Sequence, residues 1–183
     1  MKITFFIAFL ILKTNFANGQ DSGYQSGYVV MKSNDTIRGL VKYINQAPYR
    51  ILTDVKFKES IGGKVEVYAP GDLIAYAADE KNFHSMKLPG IGQAFVELRV
   101  DGFLKLYVYR TSGFGAGTGT SSYYYLLKNG EKSVFSAQQG KFKDTVSAYL
   151  IDVTEVSDRV KTGEWKKGDL ETIVKEYNRL RTQ

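Results

Sequence analysis

Short runs of alternating apolar and polar residues occupy most of the chain between Gly27 and Phe135. A repeat of two residues is typical of strands that bury one face, whereas a helix repeats about every 3.6 residues. The runs are separated by Asn34-Asp35, Gly62-Gly63 and Asn129-Gly130, and such residue pairs are typical of tight turns between strands. The pattern therefore predicts a mainly β fold, in which antiparallel hairpins form a sandwich or a partly open barrel.

The apolar residues of segment 94–109 predict the register of one hairpin. A three-residue loop, residues 100–102, places Leu98 opposite Leu104 and collects the apolar side chains on one face. A two-residue loop mixes polar and apolar residues on both faces, because a slip of one residue moves every side chain to the other face. We therefore expect the three-residue loop, with Gly102 in the left-handed position of a bulge.

The hydrophobic repeat changes near the C-terminus. Apolar residues at helical spacing predict one helix over about residues 168–181; they are Leu170, Ile173, Val174, Tyr177 and Leu180. Residues 144–156 fit a strand or a short helix. We expect the C-terminal helix to complete a single β-rich domain of residues 20–183.

Residues 1–19 have the order of a secretory signal peptide. Lys2 precedes an apolar run over residues 3–12, and the small residues Ala17 and Gly19 follow it. The apolar run is much shorter than the roughly 20 residues that a membrane-spanning helix needs. We therefore expect cleavage before Gln20, export to the periplasm or the outer surface, and no transmembrane segment in the mature chain.

Composition excludes several kinds of site. The chain has no cysteine and a single histidine, His84, so disulfides and thiolate metal sites are excluded, and a zinc or Ser-His-acid site would depend on His84. The net charge of +6 comes from basic and acidic residues mixed along the chain, which favours solvated surfaces over a nucleic-acid site. The glycine-rich segment 113–120 lacks the spacing of the known phosphate-binding loops. We expect no cofactor, no metal and no nucleic-acid partner.

The same glycine-rich segment stands next to aromatic residues. A hairpin needs two to five loop residues, and this connection is longer. Phe114, Tyr123 and Tyr125 are the candidate ligand-binding residues, because exposed aromatic rings stack on glycans and pack against protein partners. A long loop without any ligand explains the same residues, since added loop residues cost little closure entropy.

Three segments carry a resemblance to a known family: Gly27-Tyr28-Val29-Val30, Asn34-Asp35-Thr36-Ile37-Arg38-Gly39-Leu40-Val41-Lys42-Tyr43 and Ile173-Val174-Lys175-Glu176-Tyr177-Asn178. They resemble an uncharacterised family of exported proteins common in Bacteroidota. In that family a Gly-Tyr strand, a Gly-Asp-Thr turn and a Lys-Gly-type strand open the domain, and a helix with an Ile-Val-x-x-Tyr-Asn pattern ends it. Asn34 stands where the family usually has a turn glycine. The resemblance implies a cell-envelope location and brings no known activity with it.

Two short motifs point to a modification. Asp35-Thr36-Ile37 and Asp144-Thr145-Val146 resemble the Asp-Thr-apolar acceptor of Bacteroidota O-glycosylation. Thr36 and Thr145 are therefore candidate glycosylation sites, although an ordinary turn also accounts for threonine at such positions.

Two functions fit these observations. The first is a non-enzymatic interaction or structural module of the cell envelope, with an envelope protein or a glycan as its partner. The alternative is a soluble periplasmic hydrolase that uses paired carboxylates. Its candidate acids are Asp72, Asp79, Glu80, Asp144, Asp152 and Glu155. Nothing in the sequence selects one pair of them.

Overall fold

Ten strands form one antiparallel sheet in the computed structural model, which describes residues 22–43, 54–112, 120–137 and 141–181. Three helices follow the strands. The elements are β1 (Gln25–Met31), β2 (Thr36–Tyr43), β3 (Val55–Lys58), β4 (Glu66–Tyr68), β5 (Leu73–Ala78), β6 (Lys81–Leu88), β7 (Gly92–Val100), β8 (Leu104–Ser112), β9 (Thr120–Lys128), β10 (Phe135–Ser136), α1 (Phe142–Tyr149), α2 (Thr154–Thr162) and α3 (Leu170–Arg181). The mainly β fold with a C-terminal helix is confirmed. The predicted signal peptide and the segment around Phe114 lie outside the described residues.

The order of the strands requires half of the sheet to curl. The order is β10-β9-β8-β7-β6-β5-β1-β2-β3-β4, so β4 and β5 stand four places apart although only residues 69–72 join them. Four strand spacings in a flat sheet cover about 19 Å, whereas the five chain steps from Tyr68 to Leu73 reach at most about 18 Å even when fully extended. Strands β1–β5 therefore curl around a shared interior without closing into a barrel. Its buried residues include Val29, Val41 and Phe57.

Two glycines make this curl possible. Gly27 on β1 lies directly opposite Gly39 on β2. A Cβ atom on Gly27 would lie 2.9 Å from the carbonyl carbon of Ala77, and one on Gly39 would lie 2.7 Å from the ring of Phe57. Real Cβ atoms do not approach their neighbours this closely. The glycines therefore let β5 and Phe57 pack directly against the backbone of the β1–β2 pair.

The helices cover one face of the other half of the sheet. Leu104, Leu106 and Leu126 of β8 and β9 pack against apolar side chains of the three helices in one buried cluster. Alternation places Tyr107 and Tyr125 on the opposite face, where they belong to a second buried cluster. Both faces of β8 and β9 are therefore largely apolar. None of the described helices is long and apolar enough to cross a membrane.

Several local predictions are confirmed. Asn34 has a positive φ of 73° in the turn between β1 and β2, and Asn129-Gly130 forms a tight turn in which Glu131 N donates to Lys128 O at 3.1 Å. The predicted C-terminal helix corresponds to α3, which a short 3-10 turn over Lys167–Asp169 precedes. The ambiguous segment 144–156 lies mostly in helices, since it contains the end of α1 and the start of α2.

The predicted register of the β7–β8 hairpin is wrong. Leu98 pairs with Tyr107 and Val100 pairs with Leu106, and the register shifts between Leu98 and Val100. The prediction assumed that one face alone would be apolar. Both faces are buried here, so the alternation of apolar and polar residues does not determine the register. The bulge also turns Leu98 and Val100 to opposite faces.

The C-terminal helix fixes the end of this hairpin. The side chain of Asn178 accepts a hydrogen bond from Leu104 N at 2.7 Å and donates one to Leu104 O at 2.8 Å. Gly102 has a φ of 154°, which is positive but far from the left-handed helical value that we expected. A Cβ atom at Gly102 would lie 2.7 Å from Cγ of Asn178. The hairpin therefore needs glycine mainly to make room for Asn178.

Candidate anion-binding site

Three lysines lie together on the outer face of the curled half of the sheet. Val41, Val55 and Phe57 point into the curled interior. Alternation along β2 and β3 therefore turns Lys42, Lys56 and Lys58 to the other side. Lys58 is only 2 % exposed, whereas Lys42 and Lys56 are half-buried. We call these three lysines and the surface around them the lysine face.

Strand pairing brings like charges together on this face. Lys42 is the direct cross-strand partner of Lys56, and Lys58 is the next residue of β3 on the same side. Directly opposed side chains in an antiparallel pair have Cβ atoms about 5 Å apart, and like charges in that position destabilise a sheet. Among the described residues, neither Lys42 nor Lys56 forms an ion pair. Within the described part of the chain, two like charges therefore stand opposite each other here without a carboxylate partner.

The ring of Tyr24 lies close to the ammonium groups of two of the lysines. Nζ of Lys58 lies 4.2 Å from the centroid of the Tyr24 ring, and Nζ of Lys42 lies 5.6 Å from it. Cations at such distances are attracted to the face of an aromatic ring. Lys42 Nζ also donates a hydrogen bond to Ser22 O at 2.7 Å. Burial raises the pKa of Tyr24, so its phenol stays neutral at physiological pH and brings no negative charge to the lysines.

A hollow of about 410 Å³ opens between the lysines and the β3–β4 hairpin. Besides Tyr24 and the three lysines, Gly62, Gly63 and Val65 line it. Gly62 has a φ of 73°, a conformation that glycine adopts without strain. The hollow falls within the usual range of small-ligand sites, about 300 to 1,000 Å³, and is large enough for a phosphate or carboxylate group.

The nearest acids in the sequence flank the lysine face. Asp54 precedes β3, and Glu59 follows it. Glu66 of β4 accepts a hydrogen bond from the hydroxyl of Tyr68, and this bond, together with burial, raises the pKa of Tyr68 to about 12. Glu66 lies opposite Phe57 in the β3–β4 pair, so alternation places it on the side away from Lys56.

The predicted aromatic residues lie elsewhere. Tyr123 and Tyr125 are on one face of β9 in the other half of the sheet. Tyr123 is 37 % exposed and its ring centroid lies 6.4 Å from that of Tyr109. Tyr125 is only 4 % exposed, so little of its ring is open to a ligand. Phe114 lies outside the described residues, and an aromatic contact involving it stays a prediction.

The two candidate glycosylation sites differ in exposure. Thr36 is exposed at the start of β2, beside the turn of the β1–β2 hairpin. Thr145 is half-buried in α1, where its Oγ1 donates a hydrogen bond to Lys141 O at 3.2 Å. Thr36 is therefore the more accessible of the two, and modification at either site stays a prediction.

Two candidate acids of the hydrolase alternative, Asp72 and Asp152, form hydrogen bonds within the fold. Asp72 accepts a hydrogen bond from Ala69 N at 2.8 Å. Asp152 accepts bonds from Lys128 at 2.8 Å and from Tyr177 at 2.7 Å. Burial opposes ionisation of Asp152, but these bonds outweigh it and lower its pKa. In the described ranges, no group of three or more Asp, Glu or His side chains is arranged to hold a metal ion.

His84 also has a structural partner. Its Nδ1 lies 3.1 Å from the hydroxyl of Tyr107. Burial and then the charge of Lys105 lower the pKa of His84, and burial raises the pKa of Tyr107 to about 12. Both groups are therefore neutral at physiological pH, and they hold each other in the sheet.

The sequence analysis missed the lysine face. Alternation alone places Lys56 and Lys58 on one side of a strand. Their proximity to Lys42 depends on how β2 pairs with β3, and neither the alternating pattern nor the turn residues fix that pairing. The signal that the sequence offered was the presence of lysines on one face of successive predicted strands.

No protein-family model, no curated protein and no solved structure matches this chain. The resemblance to an exported family of Bacteroidota therefore stays a prediction, and the geometry described above is the basis for inferring a function.

Proposed function

We propose that the domain is a non-enzymatic interaction module of the cell envelope that binds an anionic group of its partner on the lysine face. The proposal is based mainly on the pairing of Lys42 directly opposite Lys56 on neighbouring strands, with Lys58 beside them. A bound phosphate or carboxylate would replace the repulsion between these lysines with attraction to each of them. Binding energy and relief of repulsion would then act in the same direction.

The surroundings of the lysines favour an anion over a cation or a neutral ligand. The ring of Tyr24 supports the ammonium groups of Lys42 and Lys58 without adding a negative charge. Among the described residues that line the hollow, none is a carboxylate. An anion would therefore meet positive charge on one side and the apolar surface of Val65 and the Gly62-Gly63 turn on the other.

The hydrolase alternative has weaker support. A general acid in such an enzyme usually has a raised pKa. Among the described residues, each carboxyl group whose pKa is shifted has it lowered; they are Glu97, Asp101, Asp152 and Glu176. Each of the four is hydrogen-bonded to a lysine or an arginine.

Calorimetric titration with tripolyphosphate tests the proposal. We expect the purified protein to bind this soluble anion, with affinity that falls as salt is added. The double variant Lys42→Gln Lys56→Gln should bind at least about tenfold more weakly, because charge-assisted hydrogen bonds contribute about 1.5 to 3 kcal/mol each.

A matched control separates this site from general positive charge. Lys132→Gln Lys175→Gln removes the same charge from exposed positions outside the lysine face and should leave the affinity within about twofold of the starting protein. Equal losses in the two double variants would show that tripolyphosphate responds to net charge alone, and the proposed site would then be wrong.

A further inference from the structure

Exposed apolar side chains border the lysine face. Ile61, Val65 and Val67 are 73 %, 45 % and 57 % exposed. All three belong to the β3–β4 hairpin, which ends the sheet on this side. Single exposed apolar residues are common, but three on one hairpin form a patch of the kind that marks an interaction surface.

The apolar residues and the lysines face the same way. Val67 lies directly opposite Lys56 in the β3–β4 pair, so their side chains share one face. Val65 lines the hollow together with the three lysines, and Ile61 is next to Gly62, which lines it too. The hairpin therefore places an apolar edge immediately beside a cluster of positive charge.

We infer that this combined surface docks on an anionic lipid bilayer. This inference rests on the proposed function and specifies its partner: the anionic groups held by the lysines are lipid headgroup phosphates. Ile61, Val65 and Val67 then enter the interfacial layer between headgroups and acyl chains. Lysine suits such a position because its methylene stem packs along apolar groups while its ammonium reaches the headgroups.

The pattern of charge favours lipid over the other occupants of this edge. A soluble phosphate compound would fill the hollow without covering Ile61 or Val67, which stand outside its lining. A second copy of the chain, paired along β4, would bring one lysine face beside another and add repulsion. An anionic bilayer covers the apolar side chains and neutralises the lysines at the same time.

Vesicle sedimentation tests the inference. The probe is phosphatidylcholine vesicles that contain about a third phosphatidylglycerol, compared with vesicles of phosphatidylcholine alone. The full chain should sediment with the anionic vesicles, and Ile61→Ser Val67→Thr should weaken partitioning at least about fivefold, because these side chains no longer bury apolar surface. Val67→Thr keeps the branched shape that suits a strand. All comparisons are between variants that share the apolar segment 3–12, so that any contribution of this segment to vesicle binding is the same in each.

The chain offers a matched control for the apolar change. Ile151 is 62 % exposed on the helix-covered half, and Ile151→Ser should leave vesicle partitioning unchanged. We also expect Lys42→Gln Lys56→Gln to lose at least as much vesicle binding as Ile61→Ser Val67→Thr, since both parts of the surface contribute.

The outcomes distinguish the inference from the proposed function. If tripolyphosphate binding depends on Lys42 and Lys56 but Ile61→Ser Val67→Thr sediments like the starting protein, the lipid inference is wrong and the anion site stands. If neither probe depends on the lysines, both are wrong. A dimer in sedimentation equilibrium that Ile61→Ser Val67→Thr dissociates would assign the edge to a second copy and overturn the lipid inference.

Discussion

The two halves of the sheet use charged residues in different ways. In the half covered by helices, Lys128 Nζ donates to Asp152 at 2.8 Å and to Tyr149 O at 2.6 Å. Asp152 also pairs with Arg181 of α3 at 3.1 Å. In the curled half, Lys42 and Lys56 stand opposite each other. The charges named in the first half join secondary-structure elements to one another, whereas Lys42 and Lys56 in the second half repel each other.

This difference separates residues that stabilise the fold from residues available to a ligand. The side chain of Lys128 is only 16 % exposed and its ammonium lies 4.6 Å from the ring of Tyr149, so it is enclosed by β9 and the helices. Lys42 and Lys56 are half-buried and line a hollow instead, beside Lys58, which is itself only 2 % exposed. Substitutions should therefore affect stability in the helix-covered half and in the curled interior, and ligand binding on the lysine face.

The largest expected effect comes from the glycine pair that permits the curl. Gly27→Ala and Gly39→Ala should each lower the free energy of unfolding by about 3 kcal/mol, because the added methyl group overlaps buried neighbours. Urea denaturation measures the change. Gly71→Ala and Gly168→Ala are matched controls, since a Cβ atom there has no neighbour within 4 Å. Equal effects at all four positions would contradict the close packing of β1, β2 and β5.

The next effect concerns the contact between α3 and the β7–β8 hairpin. Asn178→Ala leaves the N–H and C=O of Leu104 without their side-chain partner and should cost about 2 kcal/mol. Lys175→Ala, on the exposed side of the same helix, should change stability by less than about 0.5 kcal/mol. Thermal unfolding of both variants checks the prediction, and similar melting temperatures would show that Asn178 does not fix the hairpin.

Acid should weaken the helix-covered half through Glu97. Its side chain is 6 % exposed and pairs with Arg110 and Arg99, and Arg99 also pairs with Glu171 of α3. Burial opposes ionisation of Glu97, but the two guanidinium groups outweigh it and lower its pKa. The ion pairs of Glu97 therefore stabilise the fold fully at pH values above the ordinary glutamate pKa of about 4.3. This stabilisation is lost as the pH falls through the lowered pKa of Glu97 in the folded protein.

Replacing Glu97 tests whether its pKa is lowered in the folded protein. Glu97→Gln should cost about 1 to 2 kcal/mol near pH 7, and the difference from the starting protein should shrink as the pH falls from about 5 to about 2. Urea titrations at several pH values measure it. The exposed Glu80→Gln serves as the control and should change stability little. A difference that grew on acidification would contradict the assigned direction of the pKa.

The smallest expected effect concerns the two opposed lysines. Lys56→Gln removes one of two opposed charges and should raise the free energy of unfolding by a few tenths of a kcal/mol, on the order of a cross-strand pair. Lys128→Gln, which breaks the contact to Asp152, should lower it by about 1 kcal/mol. Denaturation curves at low salt check both values. A loss of stability in Lys56→Gln would place that lysine among the structural charges.

Local chemistry explains which parts of the fold could be predicted from sequence. The turn at Asn34 and the one at Asn129-Gly130 depend on residues that tolerate positive φ, and α3 depends on a helical repeat of apolar residues. These signals lie within a few neighbouring residues, so the β1–β2 hairpin and the C-terminal helix were predicted correctly.

The other features depend on contacts between distant segments. The register of β7 with β8 follows from a bulge and from Asn178, which is 74 residues from Leu104 in the chain. The lysine face follows from the pairing of β2 with β3. Alternation indicates which side of a strand a residue occupies, but it does not indicate which strand lies beside it, so neither feature could be predicted.

An NMR titration with tripolyphosphate shows residue by residue which half of the molecule binds the anion. Backbone amide signals of residues that line the hollow, such as Tyr24, Lys56, Gly62 and Gly63, should shift first and saturate together. Signals of the lysines on α2 and α3, such as Lys161 and Lys175, should shift little. Shifts concentrated on α2 and α3, with none at Gly62 and Gly63, would contradict the assignment of anion binding to the lysine face.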